Sequence, residues 1–255
     1  MIILISCAKT MSAKGIPTIP FTTTPLFQED ASRHALEISQ SSTSDLEKML
    51  GINTKLAIEN HIRYNNFFSE DNISIPSIVA YSGTVFKHIN VNDFTADDFA
   101  YAQKHLRITS FLYGLLRPLD AIKRYRLEGN VKLICNDDQS MFDFWKERLT
   151  DMFIEEIKND GGVLINLASN EMKELFDWSR VMREVKIITP EFQIMKKGKL
   201  KTIVVYAKMC RGEMVRYIIK NRIESPMLLQ DFNWEGFTFN IQESSENKHL
   251  FNLFS

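Results

Sequence analysis

The sequence is short of cysteine, short of histidine and almost without net charge, and each shortage closes off a class of protein. Cysteine occurs three times, at Cys7, Cys135 and Cys210. An odd number so widely separated is no disulfide framework, and no CxxC or His/Cys cluster has the spacing of structural zinc. A reducing, cytoplasmic compartment is the simplest reading of that usage. The five histidines are scattered, with no ligand-spaced pair, so neither a tight metal site nor any other cofactor is expected. No apolar run approaches the length of a membrane span, and the opening IILI is too short for a signal-peptide core, so no membrane partner is expected. Walker, GxGxxG, HExxH and nucleophile-elbow patterns are missing as well, and no specific reaction can be named from motifs.

What remains is ordinary for a globular chain. Of 255 residues, 44% are apolar and 25% charged. A chain of this length buries roughly 70–75% of its unfolded surface and needs no covalent staple. There is no internal repeat, low-complexity tract or linker. One domain over residues 1–255 is the economical reading, and a monomer is favoured.

The net charge of −1 speaks against a nucleic-acid binder, but its distribution speaks for one. Residues 196–222 carry nine Lys/Arg against the single acid Glu213, and residues 104–132 carry seven against Asp120 and Glu128. Such segregation gives a near-neutral protein a basic face, the footprint that phosphate backbones require. The alternative is that the two segments lie on separate faces, each simply solvated.

Along the chain, Ile2–Ile5 reads as a buried strand that leaves into Ser6, Lys9 and Thr10. Pro17, Pro20 and Pro25 mark an extended connection of roughly twenty residues. Phe27–Gln40 reads as a helix. Ser44 and Glu47 have capping-box spacing for a short helix to Leu50. Gly51 suits the left-handed position beyond its end, and Asn53 can cap a second helix over Thr54–Phe67. This helix–turn–helix over about 44–67 has the shape of a helix-hairpin-helix, whose second helix can offer backbone N–H groups to a phosphate, with Lys48 and Lys55 flanking the turn. Any tight helical hairpin looks similar, so plain packing is an equal reading.

Ser77–Tyr81 reads as a second buried strand, leading to Ser82, Gly83 and Lys87. Thr95 and Asp98 have capping-box spacing for the next helix, with Phe94 and Phe99 as its hydrophobic staple. Met141–Lys158 is amphipathic. Val163–Leu167 reads as a strand ending at Ser169, Asn170 and Glu171. Val185–Ile188 and Leu200–Tyr206 read as strands around a Lys-Gly turn at 197–198, the second leading through Lys208, Arg211 and Gly212 into a helix over Glu213–Arg222. Phe237–Ile241 and His249–Phe254 could form a closing hairpin. Together these give an α/β (α+β) fold with a mixed central sheet flanked by helices.

Polar and apolar demands collide over His105–Glu128. Leu106, Ile108, Phe111, Leu112, Leu115 and Leu116 are core residues by character, yet Arg107, Arg117, Lys123, Arg124 and Arg126 lie among them. Arginine suits bidentate phosphate or carboxylate binding. It also makes struts to carboxylates such as Asp120 and Glu128, its stem packing on the core. His105 is more readily a structural hydrogen-bonder than a general base.

This stretch, QKHLRITSFLYGLLRPLDAIKRYRLE, resembles the signature HLRxLSGLYGxLRPLDxxxPYRLEMG of the YaaA family of bacterial peroxide-stress proteins. MIILISCAKT is similar to that family's MLILISPAKT, VLINLASNEM to VINLASDEY, and VVYAKMCRGEMVRYIIKNRI to FYAKKARGLMSRFIIENRL. The resemblance runs in register over nearly the whole chain. It implies a DNA-binding protein with a helix-hairpin-helix element and a basic cleft, associated with lowering free iron during peroxide stress. This chain departs from the pattern at Cys7, Phe111, Arg124, Gly129–Asn130, Asn170 and Met172. Asn170 cannot serve as a base where the pattern has Asp, which puts a shared enzymatic activity in doubt and leaves binding untouched.

Ligand crevices of open α/β sheets lie beyond the strand carboxyl ends. If the four strands that empty into polar loops are neighbours of one sense, Lys9, Lys208, Arg211 and the Arg117–Arg126 group converge on one cleft, with Arg211-Gly212 as an anion seat at a helix start. Two functions follow. One is binding of double-stranded DNA without base readout, through Lys9, Lys48, Lys55, Arg107, Arg117, Arg124, Arg126, Lys208, Arg211, Arg216 and Arg222. The other is an enzyme on a nucleotide or other phosphorylated small molecule, with Lys9, Arg126, Glu128, Ser169 and Glu171 around it.

Overall fold

The computed structural model describes residues 1–13, 15 and 17–253. β1 (Ile2–Ile5) is fully buried, as four consecutive apolar residues require when both faces of a strand are covered. It pairs in parallel with β3 (Leu106–Ser110) on one side and with β6 (Val163–Asn166) on the other. β7 (Lys186–Lys196) follows β6 in parallel, and β10 (Lys248–Leu253) follows β7. Antiparallel strands finish the sheet: β4 (Gly114–Leu116) on β3, β9 (Thr238–Phe239) on β10, and β8 (Lys199–Lys201) folded back on β7. β2 (Ile75–Pro76) and β5 (Ala121–Ile122) form a separate small pair. The fold is therefore a mixed α/β domain around a mixed central sheet. The Phe251–Phe239 pairing supplies the closing hairpin, although Phe254 lies outside the described residues.

The helices are α1 (Gln28–Ser39), α2 (Thr43–Leu50), α3 (Thr54–Asn65), α4 (Ser77–Ala80), α5 (Thr84–Ile89), α6 (Ala96–His105), α7 (Met141–Asn159), α8 (Asn170–Lys173), α9 (Trp178–Glu184) and α10 (Val204–Lys220). Local signals set several of their ends. Thr95 and Asp98 form a complete capping box on α6, and the Phe94 and Phe99 rings meet at 5.5 Å. Gly51 takes φ 59 after α2, and the Asn53 side chain accepts from Leu56 N at the start of α3. The box on α2 is Ser42 with Asp45, not Ser44 with Glu47, because the helix begins two residues earlier.

One expected strand is a helix and another is strand only at its start. Ser77–Ala80 is the single turn α4. Pro76 directs the chain into it, Ser77 N donates to Asp120 O, and Ser77 Oγ donates to Arg117 O and Pro118 O. A run of four apolar residues, Ile78–Tyr81, is too short for its periodicity to separate strand from buried helix. The expected strand over Leu200–Tyr206 ends at Lys201, and α10 begins at Val204, nine residues before the expected start of a helix at Glu213. The β-branched Val204 and Val205 disfavour helix, but burial of Ala207, Cys210, Met214, Val215, Ile218 and Ile219 further along outweighs that preference. Gly212 therefore stands inside the helix, where α5 crosses it. A Cβ there would lie 2.3 Å from the Val85 carbonyl oxygen. β7 is also much longer than the expected Val185–Ile188, and its Lys197-Gly198 turn has positive φ at both residues, as a tight hairpin needs.

Candidate functional site

The chain leaves β1 toward β3 and leaves β6 toward β7, on opposite sides. Between β1 and β6 the order of the parallel strands reverses, and a crevice opens at their carboxyl ends. Ser6, just past β1, accepts from Ser169 N at 2.9 Å, and its hydroxyl lies 3.3 Å from Ser169 Oγ, so the two loops are tied across the gap. A cavity of about 420 Å³ stands there. Its floor is apolar, with Phe86, Phe111, Tyr125, Leu127, Leu167 and Met172; its polar wall carries Lys9, Arg126, Lys208 and Arg211 against Glu171.

The four cations are not equivalent. Lys9 is exposed and pairs with Glu128 at 2.8 Å, and Arg126 pairs with the same carboxylate at 3.0 Å. Glu128 thus holds two cations at the rim. Lys208 is exposed and Arg211 half-buried, and neither forms an ion pair among the described residues. Burial pulls the Arg211 guanidinium below the ordinary arginine value, with the Glu191 charge acting the other way. The Nε atoms of Arg126 and Arg211 are buried without a hydrogen-bond partner among the described residues. A guanidinium taken out of water without a counter-charge is destabilising unless an anion arrives.

Behind the floor runs a chain of buried hydroxyls: Tyr81 OH lies 2.7 Å from Tyr125 OH, which lies 2.6 Å from Ser110 Oγ. It holds Tyr125 in place at the cavity. Cys7 also lines the cavity, and its N–H donates to Thr109 Oγ1 at 3.3 Å. Burial first, then the charge of Glu171, pushes its thiol up to about 12, so it stays protonated at neutral pH. A protonated thiol is a poor nucleophile. Ser169 faces Ser6 rather than a base. The wall is equipped to bind an anion.

Of the residues singled out in the sequence, Lys9, Arg126, Ser169, Glu171, Lys208 and Arg211 come together here. Glu128 joins them through its two ion pairs. The convergence does not come from the four expected strands: of those only β1 and β6 lead in as strands, and the Gly83 and Lys208 segments belong to α5 and α10. Phe111 enters directly after β3, with residues 125–127 from the loop after β5. The Arg211-Gly212 pair is also no helix start, since α10 is already two turns old there.

Other cations are engaged elsewhere. Arg117 grips buried Asp120, with Nη2 at 2.9 Å and Nε at 3.2 Å from Oδ1. Arg107 is buried against Glu156 of α7, Nε to Oε1 2.8 Å. His105 lies at the amino end of β3, the opposite end of the strands from the cavity, its Nδ1 2.6 Å from Asp160 Oδ2, which also meets the N-terminal amine at 2.9 Å. Arg216 binds Asp93 at 2.8 Å, and Arg222 binds Asp98 at 2.8 Å. Arg124 is exposed beside α3. Lys48 and Lys55 are exposed at the α2–α3 turn, where Glu47 accepts from Thr54 Oγ1 at 3.1 Å and already puts a carboxylate over the start of α3.

Sequence reasoning missed the floor. Phe111 read as core, Met172 and Cys7 only as departures from the family pattern, and Phe86 and Tyr125 carried no signal. Among the described residues no group of three or more His, Cys, Asp or Glu is placed to hold a metal ion, and no helix is long and apolar enough to cross a membrane.

Residues 1–243 match the family described as peroxide stress protein YaaA. A UPF0246 protein of Phocaeicola vulgatus is 57% identical over 255 residues, covering 100% of both chains. One from Porphyromonas gingivalis is 45% identical, covering 98% of this chain and 99% of its own, and one from Clostridium beijerinckii is 35% identical, covering 98% and 97%.

Proposed function

This chain belongs to the YaaA family of peroxide stress proteins, and from that premise we propose that it serves the oxidative-stress response by binding DNA phosphate in the cleft between β1 and β6. Family membership supports the stress role, and the DNA reading rests on the cleft. The observation that carries it is Arg211, a half-buried guanidinium with no carboxylate partner among the described residues, beside an unpaired Lys208. Phosphate restores the counter-charge such a group lacks, and two parallel N–H bonds suit its geometry. The contacts available are to phosphate, so binding carries little sequence preference. In such a role the protein would limit iron-driven damage at the DNA itself.

The test is a titration of duplex DNA over a range of salt. Affinity falls log-linearly with salt, and each phosphate contact removed with a lysine or arginine lowers the slope by about one. Affinity that stays flat from low to moderate salt excludes the reading. A second reading, an enzyme on a nucleotide or other phosphorylated small molecule, is favoured by the cavity of about 420 Å³, a size typical of small-ligand sites. Thermal-shift screening of nucleotides followed by a turnover assay separates the two.

A further inference from the structure

The cavity and the basic segment that leads to it differ in scale, and the difference points to a ligand. β7 runs in register with β6 only to Ile188 and continues to Lys196, about 26 Å further at strand rise. It continues on the carboxyl-end side of the sheet, where the cavity lies. Its last residues pair with β8, Ile194 with Lys201 and Lys196 with Lys199, to form a hairpin that projects from the sheet. The hairpin tip carries Lys196, Lys197, Lys199 and Lys201, all exposed and none in an ion pair among the described residues.

β8 leads within three residues into α10, whose first two turns bring Lys208 and Arg211 to the cavity. Val204, Lys208 and Arg211 share one face of that helix over about 10 Å. A line of cations therefore runs from the hairpin tip to the cavity wall. Val204, 66% exposed, lies between the hairpin lysines and Lys208 on that face, while Tyr206 stands on the other side of the helix against Phe237. The remaining cations of the segment, Arg216, Lys220 and Arg222, are turned away and held by Asp93 and Asp98.

A row of free lysines recognises a polyanion, whereas the cavity admits one small unit with an apolar part and an anionic part. We propose that the cavity receives a single unpaired nucleotide of a DNA strand, its base against the apolar floor and its phosphate on Arg211. The β7–β8 hairpin and the start of α10 hold the strand that leads to it. This inference rests on the DNA reading above and makes it specific: the preferred substrate is a strand end, overhang or extruded nucleotide rather than an intact duplex. Pulling a paired base from its stack is unfavourable, and an already unpaired nucleotide avoids that.

The experiment compares, by fluorescence anisotropy, a blunt duplex with the same duplex carrying a short single-stranded overhang, with adenosine monophosphate and inorganic phosphate as competitors. Two variants accompany the wild-type chain: Arg211→Met, and a hairpin variant with Lys196, Lys197, Lys199 and Lys201 each changed to Gln. The hairpin lysines are exposed and in no ion pair among the described residues, so that variant keeps its fold. The overhang should bind about tenfold or more tighter than the blunt duplex. Adenosine monophosphate should compete and inorganic phosphate should compete less. The hairpin variant should lose salt-dependent affinity for DNA while retaining the mononucleotide, and Arg211→Met should weaken both. Blunt and overhanging duplexes of equal affinity, or no competition by the mononucleotide, overturn this inference while leaving the DNA reading intact. Failure to bind any DNA removes both.

Discussion

Arg117 and Arg126 lie nine positions apart in one segment, and the structure gives them different work. Arg117 closes a loop by gripping buried Asp120, which also accepts from Arg117 N at 2.8 Å and Thr23 Oγ1 at 2.6 Å. Arg126 stands in the cleft wall. Lysine keeps the charge at either position but cannot make the two-pronged contact. Arg117→Lys should therefore reduce stability by about 1–2 kcal/mol, the scale of one charge-assisted hydrogen bond, with DNA binding unchanged after correction for the folded fraction. Arg126→Lys should leave the melting temperature near that of the wild type and weaken binding. Chemical melts and DNA titrations on the two variants check this; equal stability loss with unchanged binding in both would make the cluster architectural. The difference between these residues was partly legible beforehand, since Asp120 stands three positions from Arg117. The sequence could not tell that Arg126 would share Glu128 with Lys9, a partner 119 residues away.

At the level of elements, caps and staples were the most readable features because they are local. Asn53, Gly51, Thr95 with Asp98, and the Phe94–Phe99 contact all lie within a turn of the helix ends they fix. The start of α10 was not readable, because its β-branched first turn is overruled by partners on α5 and the sheet. Gly212→Ala tests that packing: the added Cβ meets the Val85 carbonyl, and a loss of about 1–3 kcal/mol is expected in a denaturant melt. The far end of α10 is tied down by Asp98, which takes Lys220 at 2.8 Å and Arg222 at 2.8 Å. Burial works against ionisation of Asp98, but hydrogen bonds from Lys220, Thr95 and Arg222 prevail and hold its carboxyl well below the usual range.

A carboxyl whose folded value is depressed contributes stability that is complete above its unfolded value, roughly 3.9, and lost as pH falls through the folded one. Asp98→Asn should thus lower stability at neutral pH by about 2–3 kcal/mol, somewhat under the loss for a fully buried pair because both cations keep some exposure. The variant should also show a shallower decline below about pH 4 than the wild type. Melts at neutral and acid pH decide it, and parallel acid limbs would mean that Asp98 is not the group responsible.

For the whole molecule, a net charge of −1 concealed two basic segments with separate fates. In residues 104–132, most of the cations meet carboxylates or carbonyls: Arg107 meets Glu156, Arg117 meets Asp120, and Lys123 meets Phe67 O. In residues 196–222, the half on the hairpin and the first turns of α10 stays unpaired among the described residues, while the rest binds α6 and its approach. Counting charges could not separate these halves; only the fold shows which acids reach which bases. The cleft was foreseeable from β1 and β6 alone, because two buried parallel strands that feed polar loops define a switch point wherever they are neighbours. With five scattered histidines, the purified chain should also carry no stoichiometric iron or zinc after chelation, as metal analysis of the purified protein will show.

The most direct measurement of the central claim is the salt dependence of DNA affinity for the wild-type chain beside the double variant Lys208→Ala with Arg211→Met. The account predicts a log-linear decline for the wild type, and for the variant weaker binding with a slope lower by about two. Its melting temperature should be equal or higher, since two unpaired cations have been removed. Wild-type affinity indifferent to salt, or a folded variant that binds as its parent does, would contradict the assignment of the β1–β6 cleft as the phosphate site.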